Sequence, residues 1–170
     1  MKKIIIVITL MLFVTGCAKH LEDGTAYLKE GKYQEAISSF QKQIDKDKDL
    51  DEAYRGQGIA YYELGEYEKA ISAFQKALEN GAEKTSTIHS FLGASYLQLE
   101  EYELSLNAYE NALATKDITD ALKQEAQFNI IAIYEKLGNW EEAKKQMELY
   151  VEQYPDDSRV EKEAEFLETR

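Results

Sequence analysis

The sequence predicts an all-α fold of antiparallel helix pairs stacked in a row. Three observations predict it. The 170 residues include a single proline, while 44% are apolar and 31% charged, and a chain rich in Ala, Leu, Glu and Lys with almost no proline favours helix over sheet. A pattern then recurs along the chain: GKYQEAISSFQKQI (31–44), GEYEKAISAFQKAL (65–78), EEYELSLNAYENAL (100–113) and GNWEEAKKQMELYV (138–151). Upstream of each copy lies a second helical segment, DGTAYLKE, YRGQGIAYYEL, HSFLGASYLQL and QFNIIAIYEKL.

The chain opens with a different signal. Met1, Lys2 and Lys3 form a positive start, and Ile4–Val14 is an apolar run interrupted only by Thr9. These are the first two regions of an export signal. The run is too short to span a bilayer, which takes about 20 residues, and Lys19, His20, Glu22 and Asp23 close it. It ends in Val14-Thr15-Gly16-Cys17, which carries the only cysteine of the chain. This tetrapeptide resembles the lipobox of bacterial lipoproteins: an aliphatic residue, a small one, Gly or Ala, then Cys. The resemblance implies a diacylglyceryl group on Cys17, cleavage of residues 1–16, and a location on the extracytoplasmic face of a bacterial cell membrane. One cysteine forms no internal disulfide, so its expected role is attachment. Without Lys2 and Lys3 of the leader, the body carries 32 acids against 18 bases, a formal charge of −14, and is repelled by an anionic leaflet. Buried acyl chain contributes about 0.8 kcal/mol per methylene, and two chains suffice for stable anchoring.

The recurring pattern resembles the tetratricopeptide repeat, a helix–turn–helix unit of 34 residues. The implied fold is a right-handed superhelix of about four units, over residues 17–50, 51–84, 86–119 and 124–155. The small residue of each first helix is Gly24, Gly58 or Gly93, and the aromatic three residues on is Tyr27, Tyr61, Tyr96 or Tyr134. The turn glycine is Gly31, Gly65 or Gly138, with Glu100 in its place in the third unit. Tyr33, Tyr67, Tyr102 or Trp140 follows the turn. Each second helix brings a small residue (Ala36, Ala70, Ser105, Ala143) and a bulky one (Phe40, Phe74, Tyr109, Met147). Small residues let two helices cross closely, glycine ends a helix in the left-handed backbone region, and the aromatics bury area that one unit cannot cover alone.

Several positions depart from the pattern. His20 and Asp23 stand where an aromatic and an aliphatic are usual, as suits the exposed first unit. Lys48 occupies the usual proline position of the first junction, DKDKDLDE. Ile131 replaces the small residue of unit four, which predicts a wider crossing. The long junction ATKDITDALKQ predicts an extra turn on the fourth unit's first helix, with Asp117 or Thr119 as its N-cap. Past Pro155, residues 156–170 predict a capping helix, with Val160, Ala164 and Leu167 on one face, over the open end of unit four where Tyr150 replaces a small residue.

Composition excludes nucleic acid as a partner, since an acidic chain has no face to displace counterions from phosphate. The two histidines, His20 and His89, stand far apart in different units, and neither a metal nor a cofactor is expected. No nucleophile–base set or phosphate-cradling glycine loop is recognisable, so the chain reads as non-enzymatic. The resemblance implies instead a concave groove lined by the first helix of each unit. Its positions are Leu21, Thr25 and Leu28; Glu52, Arg55, Ile59 and Tyr62; Ser90, Ala94 and Leu97; and Phe128, Ala132 and Glu135. The strip is mainly apolar, with Arg55 as its lone cation, and such a strip rimmed by charge marks an interaction site. The expected function is a membrane-tethered adaptor whose groove docks another envelope protein or a peptide segment. Capture of a small molecule or wall fragment, and self-assembly through the array ends, are the alternatives; the sequence leaves the oligomeric state open.

Overall fold

The computed structural model describes residues 15–83, 85–160 and 167. Among them are eight α-helices and no strand: α1 (Thr15–Lys29), α2 (Tyr33–Ile44), α3 (Leu50–Glu63), α4 (Tyr67–Glu79), α5 (Thr85–Gln98), α6 (Tyr102–Ala114), α7 (Asp120–Lys136) and α8 (Trp140–Gln153). The apolar leader Ile4–Val14 and Ala164 lie outside the described residues, while Thr15, Gly16 and Cys17 open α1. Among the described residues no helix is long and apolar enough to cross a membrane.

The helices pair as α1/α2, α3/α4, α5/α6 and α7/α8, and each pair stacks on the next through α2/α3, α4/α5 and α6/α7. The odd-numbered helices also touch one another in sequence, α1 to α3 to α5 to α7, and so form one continuous layer. Each unit buries the bulky residue its second helix supplies: Phe40, Phe74, Tyr109 and Met147 are all at most 3% exposed. Three of them lie against the glycine of the paired helix. A Cβ on Gly24 or Gly58 would fall 2.6 Å from the Phe40 or Phe74 ring, and one on Gly93 2.8 Å from the Tyr109 ring. The glycines therefore set the crossing distance. Gly56, which the repeat pattern does not single out, serves the next interface by facing the Phe40 ring from α3.

The turns between paired helices share one hydrogen-bond arrangement. Lys32 N–H donates to Tyr27 O and Gly31 N–H to Leu28 O; the same two bonds recur at Glu66 and Gly65, at Glu101 and Glu100, and at Asn139 and Gly138. These are Schellman caps, which need a left-handed residue. Gly31, Gly65 and Gly138 supply φ of 71°, 74° and 71°, and Glu100 takes 59° despite its Cβ. At the first junction, where proline is missing, Asp47 and Asp49 are left-handed (φ 55° and 47°). Fully buried Gln43 ties that turn down, donating to Lys48 O at 3.2 Å and Asp49 Oδ2 at 3.0 Å.

Unit four follows its own sequence. α7 has 17 residues against 14 in α3 and α5, as the long junction predicted. Its N-cap is Thr119, whose hydroxyl accepts from Leu122 N–H at 3.3 Å. Asp117 caps a different helix. Its carboxylate reaches back to the start of α5 and accepts from Ser86 N–H (3.3 Å) and Ser86 Oγ (2.9 Å), which satisfies donors that a helix start leaves open. Hydrogen bonds from Ser86 hold the Asp117 carboxyl below its ordinary pKa against the opposing effect of desolvation. Ile131 is 1% exposed and packs with Ala143, Met147 and Tyr150, and Val160 and Leu167 join the same cluster. The α7/α8 pairing is the sparsest of the four, and a branched side chain stands there where the other pairs have glycine.

Candidate functional site

The face formed by α1, α3, α5 and α7 holds two cavities. The first, about 490 Å³, lies between α1 and α3; Leu21, Thr25, Leu28, Glu52, Arg55 and Ile59 line it together with Lys29, Glu22 and the edge of Phe40. Arg55 is therefore not its lone cation, because Lys29 stands beside it. Thr25 spends its hydroxyl on Leu21 O at 2.9 Å, so its methyl is the part that characterises this wall. Arg55 and Glu52 also border a third, strongly acidic hollow of about 430 Å³ formed with Asp49, Asp51 and Glu83 at the loop ends.

The second groove cavity, about 340 Å³, lies among α3, α5 and α7. Tyr62, Ser90, Ala94 and Leu97 line it, as the sequence pattern places them, with Phe91, Gln98, Tyr109, Leu122, Glu125, Ala126 and Asn129. Its aromatic corner is built by Tyr62 and Phe91, whose ring centroids lie 5.1 Å apart at 73°. Phe91 is held in turn by stacking on Phe74 at 5.4 Å. Burial, then the proximity of Tyr67, Glu63 and Glu125, pushes the Tyr62 hydroxyl above the ordinary tyrosine range. Burial dominates at Tyr109 also, with Tyr62 and Glu125 adding to the rise. Both phenols are thus neutral across physiological pH.

Phe128, Ala132 and Glu135 do not border either cavity. Phe128 is covered from the segment after Pro155: the Arg159 guanidinium lies 4.1 Å from its ring centroid. Arg159 also grips Asp157 through two parallel bonds, Nε to Oδ1 at 3.1 Å and Nη2 to Oδ2 at 2.7 Å, and reaches Glu125 at 2.9 Å. Tyr150 donates its hydroxyl to Asp157 at 2.5 Å and Gln124 adds a bond at 3.0 Å. The Arg159 hydrogen bonds lead, followed by Tyr150, in holding the Asp157 carboxyl well below the usual carboxylate range. This clasp lies over Phe128 on the unit-four part of the layer.

Sequence reasoning missed Phe91, Glu125 and Asn129 as wall residues. Glu125 and Asn129 fall on the groove-facing stripe of α7, spaced four apart with Phe128 beside them, but the longer junction obscured where that stripe begins. Tyr109 was assigned wholly to the core, and its ring does fill the unit while its edge reaches the cavity.

Comparisons with known proteins agree with this architecture. Residues 21–84 and 125–157 each match a model described as tetratricopeptide repeat. Residues 1–18 match a prokaryotic membrane lipoprotein lipid attachment site. No curated protein sequence matches the chain. Among solved structures, the MamA RS-1 ArsTM double mutant superimposes with a TM-score of 0.78 at 22% identity, covering 91% of this chain and 85% of that one. A crystal structure of MamA protein gives 0.77 at 17%, covering 89% and 80%, and MamA AMB-1 gives 0.72 at 18%, covering 89% and 86%. At such identities the likeness is one of fold.

Proposed function

We propose, from the premise that this chain belongs to the tetratricopeptide-repeat family and carries a prokaryotic lipoprotein attachment site, that it is a non-enzymatic adaptor tethered to a bacterial membrane by lipid on Cys17. Repeats of this family bind protein partners. The observation that supports the adaptor reading most directly is the layer of odd-numbered helices. Two apolar-walled cavities indent it at ten of the thirteen positions expected to face a partner. Such hollows, bordered by Glu22, Glu52, Arg55 and Glu125, offer both a hydrophobic anchor point and a polar rim.

In this reading residues 1–16 are removed after export and Cys17 becomes the first residue of the mature chain. Helix α1 starts at Thr15, so the first unit stands directly on the bilayer and the groove runs away from it. The excess of acid over base keeps the body off anionic headgroups, which leaves its groove open to another envelope protein.

Two measurements test the proposal. Cys17→Ser is expected to accumulate as unprocessed precursor without lipid label; normal processing and labelling of that variant refute the anchor. Crosslinked pull-down from membranes is expected to recover a protein with the parent chain and to lose it with Ile59→Glu and Tyr62→Glu combined. Undiminished recovery moves the site off the groove. Recovery of a small molecule alone favours ligand capture.

A further inference from the structure

The cavity among α3, α5 and α7 has a chemistry more specific than an apolar hollow. Tyr62 and Phe91 pack edge to face in one corner, near a right angle, and Tyr109 also lines the cavity. Aromatic faces present negative potential, and a cation within about 6 Å of a ring centroid is attracted to it. Glu125 adds a full negative charge at the rim, with its side chain 57% exposed. Ser90 also lines the wall, with its Oγ buried and without a hydrogen-bond partner among the described residues. No lysine or arginine is among the described residues that line this cavity, in contrast to the α1/α3 cavity with Lys29 and Arg55.

The chain already shows the preference of this surface. Arg159 lays its guanidinium 4.1 Å from the Phe128 ring and 2.9 Å from Glu125 Oε2. The adjoining wall thus takes an arginine against a ring face and the Glu125 carboxylate, whose Oε2 this pairing uses. Glu125 Oε1, its second oxygen, accepts only a 3.3 Å bond from Asn129 among the described residues.

We propose that this cavity is the docking point for a basic side chain, arginine or lysine, projecting from an otherwise apolar segment of the protein partner. The proposal rests on the adaptor reading and names the partner's chemistry. The cation settles against the Tyr62–Phe91 corner, and its charge meets the Oε1 side of Glu125. Flanking apolar residues of the segment cover Ala94 and Leu97. The formal charge of −12 attracts such a segment at long range and accelerates the encounter at low salt.

The test pans a random dodecapeptide library displayed on phage against the full chain, lipidated and held in non-ionic detergent micelles. Enriched peptides are expected to share one arginine or lysine flanked by apolar residues. Their synthetic versions are expected to bind about tenfold more weakly to Glu125→Gln and to Tyr62→Leu, with helical content unchanged. Because Glu125→Gln also loosens the Arg159 contact, Tyr62→Leu is the variant that isolates the cavity. Enriched peptides that lack a basic residue, or that bind both variants as tightly as the parent, overturn the proposal and leave the adaptor reading standing. A library that yields no binder, while crosslinking still recovers a groove-dependent folded partner, overturns this inference as well. Recovery of a small molecule and no protein in the pull-down overturns the adaptor reading itself.

Discussion

Ile131→Ala should be the most damaging small change in the solenoid, although it moves the sequence toward the repeat pattern. A pattern-based expectation has the substitution restore the small residue that lets two helices approach. The structure predicts the reverse. Ile131 is 1% exposed and fills the space between α7 and α8, against Met147 and Tyr150. Removing three carbons forfeits about 0.8 kcal/mol each in burial, roughly 2.4 kcal/mol. The neighbours cannot close the hole cheaply. Tyr150 is pinned by its hydroxyl to Asp157 and receives Arg159 Nη2 at 3.0 Å, so a cavity term of about 1 kcal/mol remains. The total, about 3.5 kcal/mol, corresponds to a fall of about 7–14 °C in melting temperature for a chain of this size. Urea unfolding followed by far-UV circular dichroism should show a lower midpoint with an unchanged slope. A loss under 1 kcal/mol, or a gain, refutes the account of the α7/α8 crossing. Gly93→Ala is the mirror experiment, since its new Cβ would fall 2.8 Å from the Tyr109 ring and overpack a crossing that is already close.

Three further outcomes follow from local geometry. Glu100→Gly should raise stability by about 0.5–1 kcal/mol: it relieves about 1–2 kcal/mol of left-handed strain and gives part of that back through a freer unfolded chain, as urea midpoints would register. Asp117→Ala should cost about 1–2 kcal/mol by uncapping α5 from a distance, and amide exchange should quicken first at Ser86 if the carboxylate is the cap. For Asp157 the sign is set by a folded-state value depressed chiefly by Arg159. Its contribution is complete above the ordinary carboxylate pKa of about 3.9 and is lost as pH falls below that toward the depressed value. Melting temperature should therefore drop more steeply below about pH 4 in the parent than in Asp157→Asn, and parallel curves would refute this.

The fold was legible because one spacing rule constrains every unit. Gly58 and Phe74 meet across a crossing, and their residue types alone announce it. The Schellman turns were equally readable at Gly31, Gly65 and Gly138, and the turn at Glu100 was recoverable from its neighbours. Asp117 was misplaced because capping was assumed to be local, whereas the bent junction returns the carboxylate to a helix that began 32 residues earlier at Thr85. Nothing in a linear pattern encodes that return.

The groove was legible by register and less so by occupancy. Register put Tyr62, Ser90, Ala94 and Leu97 on one wall. Whether a side chain on that wall is available depends on what else the chain lays over it, and Arg159 takes Phe128 from a segment lying beyond the repeat. The same contact explains why the partner's chemistry could be inferred at all. A chain with 32 acidic residues has many carboxylates that say nothing individually. Glu125 becomes informative only because a guanidinium of the same molecule, itself held by Asp157, lies against it and an aromatic face together. In the proposed docking, that pairing of ring face and carboxylate is what a basic segment would meet. It also implies that the clasp and a basic partner compete for Glu125.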